Sequence, residues 1–290
     1  MHSFDDIKEM VILLVLTSRP LGWFFGSAFA LAGMVYAGLH PLSNPALIST
    51  LAILALSFPL CLLTFGINDI YDIKSDSINA RKKNPLYGVR LRKKRHSLIF
   101  SASILCALLI LLIYFFSQNP QAFFASFALV LLSYFYSAPP IRLKEIPLLD
   151  SLSNGFIFFA AFACGYALGA DISTIPLRFL WASLAISAVH ALGAAVDYDS
   201  DKKCGQTTIA TYFGKRNALA LATLMCLTGL YLGNFSGIFA SSAIFFCTLS
   251  IAYSAVFPKH AWIAFRAIFI AAIASIVLVS ADYLISGVLP

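Results

Sequence analysis

Charge is scarce in this chain, and negative charge scarcer still: of 290 residues only 11% are charged, with thirteen Asp or Glu against twenty Lys or Arg. So little charge beside 60% apolar content excludes an ordinary soluble domain and a disordered chain. Paired cysteines are also missing. Cys61, Cys106, Cys164, Cys226 and Cys247 lie within apolar runs, where Cys is a small apolar filler, and only Cys204 falls in an expected loop. No Cys-x-x-Cys spacing or Cys/His cluster occurs, which argues against a structural zinc or a disulfide framework. The stretch Met1 to Glu9 carries three acids and one Lys, so it lacks the basic region of a cleaved signal peptide. The first apolar segment is therefore expected to stay attached.

What the chain does have is long apolar runs. A helix needs about 20 apolar residues to cross a bilayer, and nine candidate spans can be drawn at 18–38, 46–68, 97–117, 121–138, 148–169, 174–196, 216–233, 238–257 and 262–286. The fold class predicted is all-α, a polytopic membrane protein forming one domain over residues 1–290. Sixteen of the twenty basic residues fall in the loops after spans two, four, six and eight. By the positive-inside rule those loops and the N-terminus are cytoplasmic, placing the protein in the cell membrane. A net charge of +7 implies no nucleic-acid partner here, because the cations flank spans, where they fix topology or meet lipid headgroups.

Against this background, six of the thirteen acids fall in two short clusters at the cytoplasmic ends of spans two and six. The first is Asn68-Asp69-Ile70-Tyr71-Asp72-Ile73-Lys74-Ser75-Asp76 and the second Asp197-Tyr198-Asp199-Ser200-Asp201. Carboxylates beside hydrocarbon are costly to desolvate unless they hold cations, so their clustering marks a candidate site. Helical spacing puts Asp72 with Asp76, and Asp197 with Asp201, one turn apart on one face, and Asn68 extends the first row. Such oxygen ligands suit Mg²⁺, which keeps several waters and completes its shell with substrate phosphates. Two ions can then bracket a diphosphate and neutralise the charge that grows as a C–O bond breaks. The plainer alternative is that these acids pair with nearby Lys and Arg. Asp69 and Asp199 fall off the rows and read as supporting residues or helix-end partners, with a direct ligand role as the alternative. Gly66 before Asp72 and Gly193 before Asp197 make the second cluster echo the first, which predicts two similarly oriented four-helix halves plus a ninth helix, with a shared cavity.

Basic and aromatic residues accompany these acids. In Tyr134-Phe135-Tyr136-Ser137-Ala138-Pro139-Pro140-Ile141-Arg142-Leu143-Lys144 the prolines end span four, and an extended segment would put Arg142 and Lys144 on one side, ready for a leaving diphosphate. Tyr136 can face an allylic cation through its ring. A boundary of belt aromatics and snorkelling cations explains the same composition. The loop Arg81 to Arg95, broken by Asn79, Pro85 and Gly88, fixes topology and offers further cations to a diphosphate. Arg19, before Pro20 at the start of span one, either contacts phosphate or anchors its helix. His190 lies seven residues before Asp197, two turns deeper on nearly the same face, as a structural hydrogen-bonder or a contact for the acceptor.

These motifs together resemble the UbiA superfamily of intramembrane prenyltransferases. Asn68-Asp69-x-x-Asp72-x-x-x-Asp76 matches its first motif, Asp197-x-x-x-Asp201 its second, and Tyr136-Ser137-Ala138-Pro139-Pro140-x-Arg142-x-Lys144 the basic segment between them. The resemblance implies nine helices around a cavity open to the cytoplasm and to lipid. It implies Asn68, Asp72, Asp76, Asp197 and Asp201 as ligands of two Mg²⁺ ions, with Arg142, Lys144, Ser137 and Arg19 on the prenyl diphosphate. The implied reaction is ionisation to an allylic carbocation, alkylation of a lipophilic acceptor and release of pyrophosphate, in a cavity dry enough to spare the cation from water. The chain departs from many quinone and archaeal ether-lipid members: Asn79 leads into Ala80-Arg81-Lys82-Lys83-Asn84-Pro85 in place of an Asn-Arg-Pro-rich run, and Trp23 stands where span one often carries Asn. Ser18-Arg19-Pro20, the run Leu148 to Gly155 and His190 are more similar to the lycopene-elongase-like branch, which implies a carotenoid acceptor. A quinone precursor or geranylgeranylglyceryl phosphate is the alternative acceptor. Two other classes compete: CDP-alcohol phosphotransferases, whose contiguous Asp-Gly motif is missing here, and cation-coupled transporters, whose acids belong near the bilayer midplane rather than at helix ends.

Overall fold

The computed structural model describes residues 4–41, 46–78, 89–234 and 238–286. Among them the regular elements are helical: α1 Phe4–Thr17, α2 Trp23–Tyr36, α3 Leu47–Ala55, α4 Phe58–Tyr71, α5 Ile73–Ile78, α6 His96–Phe116, α7 Pro120–Ser137, α8 Leu149–Tyr166, α9 Leu177–Cys204, α10 Ile209–Phe213, α11 Lys215–Gly233, α12 Ile238–Val256 and α13 Ala261–Ser286. The nine apolar runs each coincide with one or two of these helices. By length and composition, however, four helical stretches among the described residues can cross a membrane, at Leu47–Tyr71, Lys93–Phe116, Pro120–Ser137 and Leu177–Cys204. A fifth forms if the pair α1 and α2, bent by 45°, counts as one span.

A helix precedes the expected start of span one. Helix begins at Phe4, not near residue 18, and breaks where Arg19 adopts a left-handed φ of 51° before Pro20, which has no N–H to continue the ladder. Ends elsewhere follow local chemistry. Asn119 opens α7 by accepting the N–H groups of Gln121 and Ala122 through its Oδ1, with Pro120 in the first helical position. The same helix stops at Ser137 because Ala138 is held extended before Pro139.

The chain divides into two compact units. The first contains α1 to α7 and residues 160–169, and the second contains residues 143–159 with α9 to α13. In the first unit Met34, Leu63, Ile67, Ile99, Ile110, Tyr114 and Leu129 are fully buried. Gly66 lets α4 approach α6 there: a Cβ at this position would collide with Ser103 Oγ, whose hydroxyl donates to the Leu62 carbonyl at 3.0 Å. Leu105, Leu108, Leu112, Phe115 and Phe116 of α6 are exposed in a row, an apolar surface that suits lipid rather than water. In the second unit the small residues Ala188, Ala191 and Ala195 of α9 pack with Leu219, Ala222 and Cys226 of α11 in a core that also takes in Ile209, Ile251 and Ile268. Small side chains bring helix backbones close, which is how helices gain packing contacts where hydrophobic driving force is weak.

Candidate active site

The first acid row lies at the end of α4, and it is not carried by one continuous helix. Asp72 is the C-cap of α4, with φ −104° and ψ 11°, and Asp76 lies in the short α5 that follows. The one-turn register nevertheless persists across the break, because Asp72 N–H donates to the Asn68 carbonyl at 3.0 Å and Asp76 N–H to the Asp72 carbonyl at 2.8 Å. Both carboxylates are buried.

Three neighbours fix this row. Ser137, at the last turn of α7, donates its hydroxyl to Asn68 Oδ1 at 3.1 Å. Arg142 brings a guanidinium nitrogen to 3.7 Å from Asp72 Oδ1. Arg19 donates to Asp69 Oδ1 at 3.0 Å, while its guanidinium lies 4.1 Å above the Phe65 ring. Asp69 is thus an ion-pair partner, as its off-row position suggests, and the pair ties the α1–α2 break to the motif-bearing end of α4. Arg19 is held by this carboxylate, although its fork keeps donors beyond the bond to Asp69.

The second row is built differently. His190, Asp197, Asp199 and Asp201 all lie on α9, which runs unbroken to Cys204, beyond the expected end of span six. Gly205 ends it with a left-handed φ of 72°, and Gln206 N–H returns to the Asp201 carbonyl at 3.0 Å. Asp201 is buried, Asp197 half-buried and Asp199 exposed. Two turns deeper, His190 Nδ1 lies 3.4 Å from the buried hydroxyl of Ser151 on α8.

The basic segment departs from the extended geometry expected of it. Arg142 takes a left-handed φ of 47°, its N–H donates to the Ala138 carbonyl, and residues 143–145 form a tight helical turn. Alternation along a strand therefore does not set the directions of Arg142 and Lys144. Arg142 closes the first unit, next to Asp72, whereas Lys144 belongs to the second, where it is buried. Tyr136 is half-buried in the last turn of α7. Asn79, Arg81, Lys82, Lys83, Pro85 and Gly88 lie outside the described residues.

The donor chemistry fits magnesium. Among the described residues no three His, Cys, Asp or Glu side chains converge as a complete metal cage. Each row instead offers two carboxylates one turn apart, and the first adds an amide oxygen oriented by Ser137. Mg²⁺ is commonly held in this manner, by one or two carboxylates with water and substrate phosphate supplying the rest. Sequence reasoning missed one buried acid, Asp150 at the start of α8, whose Oδ2 accepts the Ile209 N–H at 2.8 Å. Its signals were a carboxylate at the mouth of an apolar run and its place in the run Leu148 to Gly155, neither of which names a partner.

Comparison with known proteins gives the chain its family. Residues 26–276 match the UbiA prenyltransferase family. A lycopene elongase/hydratase of Corynebacterium glutamicum is 30% identical over 228 residues, 76% of each chain. Another, from Haloarcula japonica, is 28% identical over 226 residues, 77% of this chain and 74% of the relative. A solved UbiA homolog from Archaeoglobus fulgidus, bound to DMAPP and Mg²⁺, superposes with a TM-score of 0.67 at 20% identity, covering 91% of this chain and 99% of the homolog. The chain belongs to the UbiA prenyltransferase family, on its lycopene-elongase-like branch, and is a membrane-embedded prenyltransferase.

Proposed function

We propose that this protein uses Mg²⁺ to ionise an allylic prenyl diphosphate and transfers the prenyl group to a carotenoid double bond at the cytoplasmic side of the cell membrane, residues 1–290 acting as one domain. The observation that carries the reading is the Asn68–Asp72–Asp76 row, its two carboxylates buried, with Arg142 at 3.7 Å from Asp72. A carboxylate row beside a guanidinium suits a ligand that is both metal-bound and anionic. Similarity to lycopene elongases from two organisms supports the carotenoid acceptor.

In this reading Asn68, Asp72, Asp76, Asp197 and Asp201 hold two magnesium ions, which when bound withdraw charge from the diphosphate as the C–O bond lengthens. Ser137 orients the Asn68 amide so that its oxygen faces a fixed direction. Arg142 and Lys144 bind diphosphate oxygens, with Arg19 contributing through donors not used by Asp69. Tyr136 offers its ring face to the allylic cation. His190, held near Ser151 within the apolar part of α9, contacts the acceptor.

The test is product identification. Purified protein in nanodiscs is incubated with Mg²⁺, labelled dimethylallyl, geranyl or geranylgeranyl diphosphate, and lycopene, a quinone precursor or geranylgeranylglyceryl phosphate. A prenylated carotenoid with one pyrophosphate released per prenyl group is the expected outcome. Product formed only with the quinone precursor or the glyceryl phosphate would replace the acceptor assignment, and no prenylated product with any acceptor would reject the function.

A further inference from the structure

Asp150 is fully buried in a chain that can ill afford uncompensated carboxylates, and the motif chemistry does not use it. Beside local hydrogen bonds with Ser151 and the Leu148 backbone, its partner from a distant part of the chain is a backbone group. Oδ2 accepts the N–H of Ile209, the first residue of α10, at 2.8 Å, and an N–H in that position has no partner within its own helix. The loop on the far side of this bond leads back to the second acid row in a closed set of hydrogen bonds. Thr208 and Thr211 cap α10 reciprocally, with Thr208 N–H donating to Thr211 Oγ1 at 2.8 Å and Thr211 N–H to Thr208 Oγ1 at 3.3 Å. The Thr211 hydroxyl donates to the Gln206 carbonyl at 2.8 Å, and Gln206 N–H donates to the Asp201 carbonyl at 3.0 Å. On the near side, Asp150 N–H donates to the Ile146 carbonyl at 2.9 Å, and Ile146 N–H to the Leu143 carbonyl at 3.1 Å, closing the turn that carries buried Lys144.

We propose that Asp150 is a positioning residue: its bond to Ile209 N–H clamps the Lys144 turn to the loop after α9 and so fixes the end of α9 that presents Asp201. The inference rests on the reading of Asp201 as a magnesium ligand. Asp150 itself touches neither metal nor diphosphate in this scheme. Groups that support ligands from behind commonly alter metal affinity by 10- to 100-fold when removed.

The bond can be cut from either end. Asp150→Ala removes the acceptor, and Asp150→Asn keeps a carbonyl oxygen in the same place. Ile209→Pro removes the donor at a first helical position, where proline is tolerated, and Thr208 before it is already extended at φ −108° and ψ 169°. Ile209→Ala, which keeps the N–H, controls for the lost side chain. Mn²⁺ binding to the full chain in nanodiscs is followed by electron paramagnetic resonance with inorganic pyrophosphate present, and thermal midpoints are recorded alongside. Expected are about tenfold weaker Mn²⁺ binding in Asp150→Ala and in Ile209→Pro, a loss within about threefold in Asp150→Asn and Ile209→Ala, and no further loss when Asp150→Ala is added to Ile209→Pro. Wild-type Mn²⁺ affinity in Ile209→Pro or Asp150→Ala, whatever the thermal midpoint, would overturn the proposal, as would independent losses that multiply in the double variant. If Asp150→Ala does not fold, Ile209→Pro against Ile209→Ala and Asp150→Asn decides. Asp201→Ala separates the two levels of the argument: weak binding there with normal binding in the Asp150 and Ile209 variants defeats the clamp alone, while normal binding in Asp201→Ala defeats the metal reading beneath it.

Discussion

The two acid rows carry the same chemistry at the same spacing on different scaffolds. Asp72 and Asp76 straddle a helix break, so their positions depend on neighbours from other elements: Ser137 on Asn68, Arg142 on Asp72, and the Arg19–Asp69 pair behind. Asp197 and Asp201 ride a continuous helix of 28 residues, anchored at its end by the Gly205 turn and the loop beyond. Spacing is thus what the chemistry demands, while the means of holding it is left to local packing. A row on a broken helix should be sensitive to neighbours along its length, and a row on an intact helix to its own residues and to the loop that anchors its end.

The largest effect expected tests what the rows share. Asp72→Asn and Asp197→Asn should each lower kcat/KM for pyrophosphate release at least about a hundredfold, since in the proposed reading each removes a charge that holds the metal facing the leaving group. A loss at one row only would make the other structural. The next tests what they do not share. Asp69→Ala strips the partner from Arg19 and leaves a largely buried guanidinium uncompensated, an expected destabilisation of about 3 kcal/mol in chemical denaturation. Asp199→Ala, at an exposed position of the second cluster, should cost less than about 0.5 kcal/mol.

The paired glycines give a smaller contrast. At Gly66 an added Cβ collides with buried Ser103 and lies 3.1 Å from Ile99, whereas at Gly193 its nearest neighbour is the Phe265 ring at 3.3 Å. Gly66→Ala should therefore lose about 1–3 kcal/mol, and Gly193→Ala less than about 1 kcal/mol, read as shifts in denaturation midpoint. The smallest effect concerns Ser137→Ala. It deletes one hydrogen bond to Asn68, worth about 1 kcal/mol, and should raise the Mg²⁺ concentration for half-maximal activity about fivefold with little change in thermal stability.

The helical character, the apolar segments and the one-turn spacing of both acid rows were legible because each rests on short-range pattern: run length for apolar helices, four-residue spacing for carboxylates in one helical register. Asp69 was set apart from the row by spacing alone, but its partner Arg19 was not named, since fifty residues and a helix break separate them. The break itself was half visible in Arg19-Pro20. The extended geometry assigned to Arg142 failed because a left-handed residue followed by a helical turn leaves no alternation to read. The role of Asp150, which sits in the run Leu148 to Gly155, was illegible for a related reason: its distant partner is the Ile209 backbone N–H, which no residue type announces. Tertiary pairing to main-chain groups is the part of a site that sequence pattern does not encode.

The most direct measurement is pyrophosphate release from geranyl diphosphate by the purified protein in nanodiscs, with and without Mg²⁺, in the wild type and in the Asp72→Asn/Asp197→Asn pair. The account predicts release that stops on chelation, returns when Mg²⁺ is restored, and is missing from the paired variant even though that protein is folded. Release that continues in chelator, or at the wild-type rate in the folded paired variant, would contradict it.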